Sequence, residues 1–132
     1  MEQNIFVNGT FDVLHTGHLN LLEHAKRLGG ILHVAIDSDE RVKNLKGANR
    51  PINSQVDRKR MLEALRVVDK VYIFNTADEL LDIIRVLKPE YMVKGTDYLG
   101  KSIIGRHYCN RIEFVELNGK STTSISNWGL MH

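Results

Sequence analysis

His15 and His18 lie in the stretch Asn8-Gly9-Thr10-Phe11-Asp12-Val13-Leu14-His15-Thr16-Gly17-His18. The apolar run Ile5-Phe6-Val7 precedes it, and a helical pattern from Leu19 to Leu28 follows. The stretch therefore joins a strand to a helix start. Gly9 and Gly17 mark its two ends and let the backbone approach a ligand closely. With His18 in the first helical turn, two imidazoles and several free N–H groups converge on one small volume. Such a volume suits an anion, because a helix start carries unpaired donors and a partial positive charge. The alternatives are a zinc site or two surface histidines. Zinc requires further ligands, and the single cysteine, Cys109, is far along the chain without a partner motif.

Three other places could serve an anion. Lys46, before Gly47 in a charge-rich stretch, offers a flexible point charge, although the stretch also suits a solvated loop with a short helix. Gly95 follows an apolar strand pattern, which marks close approach of backbone to something. Ser121, Thr122 and Thr123 open a final helical stretch. Their hydroxyls suit a helix cap and equally suit phosphate oxygens beside free N–H groups.

The elements that must position these residues alternate along the chain. Strands are expected at about Asn4–Asn8, Ile31–Ile36, Val68–Phe74, Tyr91–Lys94 and Arg111–Leu117. Helices are expected at about Gly17–Leu28, Ser54–Val67 and Ala77–Leu87, with short ones near Ile103–Tyr108 and from Ser121 to Trp128. Leu21, Leu22, Ala25 and Leu28 form the buried stripe of the first helix, and Met61, Leu62, Leu65 and Val68 that of the second. Ser54 is a capping candidate, and Gly29-Gly30 and Pro89 are stop signals. The second strand is apolar almost throughout, which implies cover on both faces and a parallel sheet. His33 within it is expected to be packed rather than a ligand. The alternation gives one α/β domain, with the ligand crevice outside the carboxyl ends of the strands.

The 132 residues suffice for one domain, and the formal charge of +2 is spread without a basic tract, which disfavours nucleic acid. The chain lacks an apolar run of membrane-spanning length, and Met1-Glu2-Gln3-Asn4 does not resemble a signal peptide. A single cysteine suits a reducing cytoplasm.

Gly9-Thr10-Phe11-Asp12-Val13-Leu14-His15-Thr16-Gly17-His18 resembles the HxGH signature of the cytidylyltransferase-like nucleotidyltransferases. Asn44 to Asn53, with its Lys46-Gly47 and Arg50-Pro51, is similar to the segment after the second strand of heptose-phosphate adenylyltransferases. Asp97-Tyr98-Leu99-Gly100-Lys101 resembles the family's Asp-aromatic loop, and Ser121 to Ile125 its closing hydroxyl-rich motif. The resemblance covers almost the whole chain. It implies a Rossmann-like, doubly wound five-stranded parallel sheet of order 3-2-1-4-5, a homodimer, and transfer of a nucleotidyl group from a triphosphate to a phosphorylated sugar or polyol.

By the same resemblance, His15 and His18 contact the triphosphate near its α-phosphate, and Lys46 neutralises developing charge from the opposite side. Gly9, Thr10, Phe11, Arg58, Gly95, Asp97 and Ser121 to Thr123 would bind the nucleotide. Lys46, Arg50, Asp97 and Tyr98 would bind the acceptor. Magnesium would travel with the triphosphate on phosphate and water ligands, so no protein ligand is assigned. Thr10 is similar to the glycerol-3-phosphate cytidylyltransferases, where the heptose enzymes usually carry cysteine. Glu116-Leu117 departs from the Arg-Thr pair of the cytidylyl enzymes, and Lys94 to Tyr98 again looks like the heptose enzymes. ATP with a heptose or other sugar 1-phosphate is the favoured pair. CTP with glycerol 3-phosphate is the alternative, followed by a nucleotide-binding protein that has lost the chemistry.

Overall fold

The computed structural model describes residues 2–116. Strands β1 (Asn4–Gly9), β2 (Ile31–Asp37), β3 (Lys70–Phe74), β4 (Tyr91–Gly95) and β5 (Arg111–Val115) form one sheet. All pairings are parallel, and the order is β3-β2-β1-β4-β5, as expected. Helices α1 (Thr16–Arg27), α2 (Asp39–Lys46), α3 (Gln55–Glu63) and α4 (Ala77–Leu87) connect the strands, with 3₁₀ turns at Thr96–Tyr98 and Arg106–Tyr108. Among these residues no helix is long and apolar enough to cross a membrane.

Successive strand residues point to opposite faces, so the apolar strands serve two cores. Ile5, Val7, Val34 and Ile36 pack with Leu21, Leu22 and Ala25 of α1 and Leu62 of α3. Phe6, Ala35 and Met92 pack on the other face with Leu80 and Ile84 of α4. Ser38, Ser54 and Thr76 cap α2, α3 and α4, accepting from the backbone N–H of Arg41, Asp57 and Glu79. His33 is packed, bonded to Tyr72 Oη at 2.7 Å and Asn4 Oδ1 at 2.9 Å.

Strand β1 pairs with β2 from Asn4↔Ile31 to Gly9↔Ile36. Its pairing with β4 is confined to Ile5↔Tyr91 and Phe6↔Met92. Beyond those positions the two strands are no longer paired, at the carboxyl ends where the strand order reverses and where folds of this kind hold their ligands.

Two helices are shorter than expected. Helix α3 stops at Glu63 because the chain turns at Leu65 to bring Val68 into the core before β3. Met61, expected inward, is exposed, and Arg58 occupies the buried face with Leu62. The expected helix at Ile103–Tyr108 contracts to its last three residues. Gly105, at φ +83°, lies against Ile84 so tightly that a Cβ would come within 2.6 Å of Ile84 Cδ1.

Arg58 corrects a functional expectation. Its side chain is fully buried. Nε donates to Asn53 O at 3.0 Å, and Nη1 donates to Thr10 O at 3.0 Å and Asp37 O at 2.8 Å. Nη2 donates to Asp39 Oδ1 at 2.8 Å. A guanidinium engaged in this way ties the ends of β1 and β2 to α3 and is not presented to a phosphate. Arg58→Ala should therefore lower unfolding stability by about 3 kcal/mol or more, because the carbonyls and carboxylate are left buried without a donor. Denaturant unfolding measures this. An Arg58→Ala protein as stable as the parent, with only triphosphate affinity lost, would restore the phosphate role.

Candidate active site

The connection from Thr10 to His15 is held from beneath. Thr10 donates its hydroxyl to Asp37 Oδ2 at 3.0 Å, and its carbonyl receives Arg58. The side chain of Thr10 thus supports the loop and says nothing about which base is bound. Phe11 adopts φ +51°, a left-handed conformation costly for a residue with a bulky side chain, and its ring is fully buried. That turn aims the chain toward α1 and places the Phe11 ring 5.1 Å from the His18 ring.

The two histidines form a reciprocal cap. His15 is the N-cap of α1, and its Nδ1 accepts from the Gly17 N–H at 3.1 Å. His18 Nδ1 accepts from the His15 N–H at 3.2 Å. In a capping box, hydroxyl and carboxylate groups ordinarily make these bonds; here imidazoles make both. The consequence is chemical. A backbone N–H on Nδ1 requires that nitrogen to be unprotonated, so each neutral ring carries its proton on Nε2. Burial lowers the pKa of His15. Burial, then the neighbouring His15 and Lys46, brings that of His18 down to about 3. The rings lie 4.0 Å apart between centroids. At neutral pH the helix start therefore presents two uncharged imidazoles with fixed tautomers and Nε2–H donors.

Lys46 supplies the charge. It ends α2, and Gly47 follows at φ +107°, a conformation that glycine adopts without strain. Lys46 Nζ is buried and has no hydrogen-bond partner among the described residues. Burial lowers its pKa to about 8; Asp37 and Asp12 oppose that fall, while Arg50 and Arg58 add to it. A buried ammonium lacking an acceptor is costly unless an anion completes it.

Asp12 docks the segment after α2. Its carboxylate accepts from the N–H of Ile52 and of Asn53, both at 2.8 Å, and Asn53 Nδ2 donates to Asp12 O at 2.6 Å. Arg50, half-exposed, reaches within 3.9 Å of the same carboxylate. Lys46 and Arg50 are thereby brought to the loop that carries the histidines. Sequence reasoning missed Asp12 and Asp37 as the acids that hold this arrangement. The only available signal was an acid at each of two strand-to-helix connections.

On the far side of the crevice, Gly95 is buried at the end of β4, with Asp97 exposed and Tyr98 half-buried in the turn that follows. Lys94, also missed, donates from Nζ to Asn8 Oδ1 at 2.8 Å and lies 4.8 Å from the Tyr98 ring centroid. His15, His18, Lys46, Arg50 and the Gly95–Tyr98 turn all follow carboxyl ends of strands or lie on segments docked there. Ser121, Thr122 and Thr123 lie outside the described residues.

Known proteins match this architecture. The chain is 48% identical over 124 residues to the bifunctional protein HldE of Campylobacter fetus and 46% identical over 122 residues to that of Campylobacter jejuni. It aligns over 93% and 92% of its own length, but spans only 27% and 26% of theirs. Among solved structures, the lipopolysaccharide core biosynthesis protein of Thermoplasma volcanium superposes with a TM-score of 0.69 at 22% identity. That superposition covers 89% of this chain and 98% of the other. Pantothenate synthetase of Thermus thermophilus follows at 0.58 and 18%, covering 87% and 55%. Both structures show a shared fold. Residues 6–126 match the cytidylyltransferase-like family, and the chain belongs to that family.

Proposed function

We propose that the chain is a nucleotidyltransferase domain that moves AMP from ATP to a sugar 1-phosphate, a heptose 1-phosphate in the favoured case, releasing pyrophosphate. The observation that carries this is the buried Lys46 ammonium, without a hydrogen-bond partner among the described residues, beside two Nε2–H imidazole donors at the start of α1. The kinship with HldE proteins supports the choice of adenylyl over cytidylyl transfer. The Thr10 hydroxyl, directed to Asp37, removes the main feature that favoured CTP.

In this mechanism an acceptor phosphate oxygen attacks the α-phosphorus in line. A new P–O bond forms, the bond to the β-phosphate oxygen breaks, and pyrophosphate carries away the electron pair. The Nε2–H groups of His15 and His18, with the N–H groups near Gly9, Thr10 and Phe11, would stabilise charge on the transferring group. Lys46 would hold the two anions together, and Arg50, Asp97 and Tyr98 would orient the acceptor. Ser121, Thr122 and Thr123 are assigned to the leaving phosphates by motif. The described residues contain no cluster of three or more His, Cys, Asp or Glu that could cage a metal. Magnesium would accompany the triphosphate as part of the substrate, neutralising phosphate charge. A homodimer, drawn from the family resemblance, and a cytoplasmic location, which the single cysteine suits, are part of the same proposal.

His15→Asn and His18→Asn should each lower turnover on the order of 100-fold or more with the fold retained, since each loses an Nε2–H donor. Asparagine at position 15 keeps the helix cap, so its loss of activity would not reflect unfolding. Circular dichroism with steady-state kinetics tests both; a folded variant near full activity would remove that histidine from the chemistry.

Lys46 should impose a pH limit. Its charged form is the binding form, and the group loses its proton as pH rises through about 8. The kcat/KM for triphosphate should therefore fall above about pH 8, and Lys46→Arg should move that limb upward. A profile flat from pH 7 to 9.5 would contradict the assignment.

Pyrophosphate release decides the substrate pair. ATP with heptose 1-phosphate should turn over, and CTP with glycerol 3-phosphate should not. The opposite result would replace the pair and keep the reaction class.

A further inference from the structure

The side chains along the α4-facing side of the crevice form a polar row that the proposed chemistry has not used. Phe6 and Met92 face α4, so Asn8 and Lys94, two residues further on, share that face. They stand just beyond the last paired positions of β1 and β4, where the backbones have parted. Their side chains nevertheless meet, Nζ to Oδ1 at 2.8 Å, across the opening. The ammonium lies under the Tyr98 ring, and Lys94 is only 7% exposed.

We propose that Lys94 is a positioning residue for the acceptor: its buried ammonium clamps the Thr96–Tyr98 turn to the end of β1 through Asn8 and the Tyr98 ring. This rests on the assignment of Asp97 and Tyr98 to the acceptor pocket.

The physical case begins with cost. An ammonium removed from water is unfavourable, and a methionine of similar length would fill the space without that cost. Burial brings the Lys94 pKa down to about 8, with Asp37 and Asp97 opposing the fall. The groups that face it come from three elements: Asn8 on β1, Asp37 on β2, and Asp97 and Tyr98 on the turn after β4. Lys101 lies on the same Tyr98 ring at 5.9 Å, so the ring has cations on it from both ends of its own loop. Among the described residues the backbone bonds within the turn are Leu99 N–H to Thr96 O at 3.0 Å and Lys101 N–H to Tyr98 O at 3.1 Å. Backbone pairing does not tie this turn to β1, whereas the Lys94–Asn8 bond and the cation–π contact do. Contacts of this kind fix the direction of an aromatic wall rather than the stability of the sheet.

The test uses the full chain with Lys94→Met, and Asn8→Ala as the second variant. Amide hydrogen exchange at Leu99 and Lys101 should speed up about tenfold, the effect expected from losing one cation–π contact and one charge-assisted hydrogen bond. Exchange in β2 should not change, and the Tm of Lys94→Met should be equal or higher. Acceptor KM should rise about tenfold while ATP KM holds, and Tyr98→Leu combined with Lys94→Met should add little to either alone. Unchanged exchange at Leu99 and Lys101 overturns the proposal. So does a fall in Tm with both KM values raised, which would mark a purely structural lysine. Should Lys94→Met fail to fold, Asn8→Ala decides by the same exchange and KM readouts. A parent protein that transfers nucleotide to no sugar phosphate would refute the acceptor assignment, and the exchange result would still decide whether Lys94 holds the turn.

Discussion

The Arg58 guanidinium is the tie on which the site depends. One planar cation joins the last carbonyl regions of β1 and β2 to the segment that leads into α3. Those three places are separated in sequence, and their carbonyls would otherwise lack these donors in the interior. The fork of fixed N–H directions suits arginine and not lysine. Once the end of β1 is fixed, Phe11 can hold its left-handed turn, His15 can cap α1, and Asp12 can dock the segment that carries Lys46. The proposed anion site is thus held together by a buried cation whose N–H groups are engaged within the protein.

Charge in the site is unevenly distributed. The histidines contribute fixed dipoles: burial keeps both rings neutral, and a backbone N–H on each Nδ1 fixes the tautomer. The positive charge is left to flexible groups, Lys46 at the end of α2 and Arg50 beyond it. Asp12 and Asp37, both buried, hold the backbone and hydroxyl donors of the loops and stand near the Lys46 ammonium. A triphosphate would therefore meet preorganised neutral donors at the helix start and a cation that can follow it.

The architecture was legible because it rests on periodicity. Apolar runs covered on two faces, alternating with capped helical stripes, admit few arrangements other than a parallel sheet, and the observed order is the one expected. The histidine pair was legible because its spacing and its glycines belong to a strand-to-helix connection. Arg58 was not, since an arginine on a helix reads as exposed unless the loops that supply its acceptors are known to converge. Met61 failed for the same reason, because the arginine took the inward face that its spacing promised. The bond from the Thr10 hydroxyl to Asp37, twenty-seven residues away, was invisible to local pattern. Lys94 was noted only as part of a motif, because its bond to Asn8, eighty-six residues away, has no local signal.

The proposed reaction must bring two phosphates together, and that sets the demand on this arrangement. Two unit negative charges about 4 Å apart repel by about 4 kcal/mol at an effective dielectric of 20. Neutral imidazole donors lower the charge density on the transferring group, but they cannot cancel a net charge between two substrates. A cation must do that, and it must reach both. Lys46 has the required features: a four-carbon stem, a buried tip with no protein acceptor among the described residues, and a position on a segment that Asp12 pins at Ile52 and Asn53 rather than at the lysine itself. An ion pair within the protein would have left it less free to act. Among the described residues the Lys46 ammonium is buried without an acceptor, and an entering anion would relieve that cost.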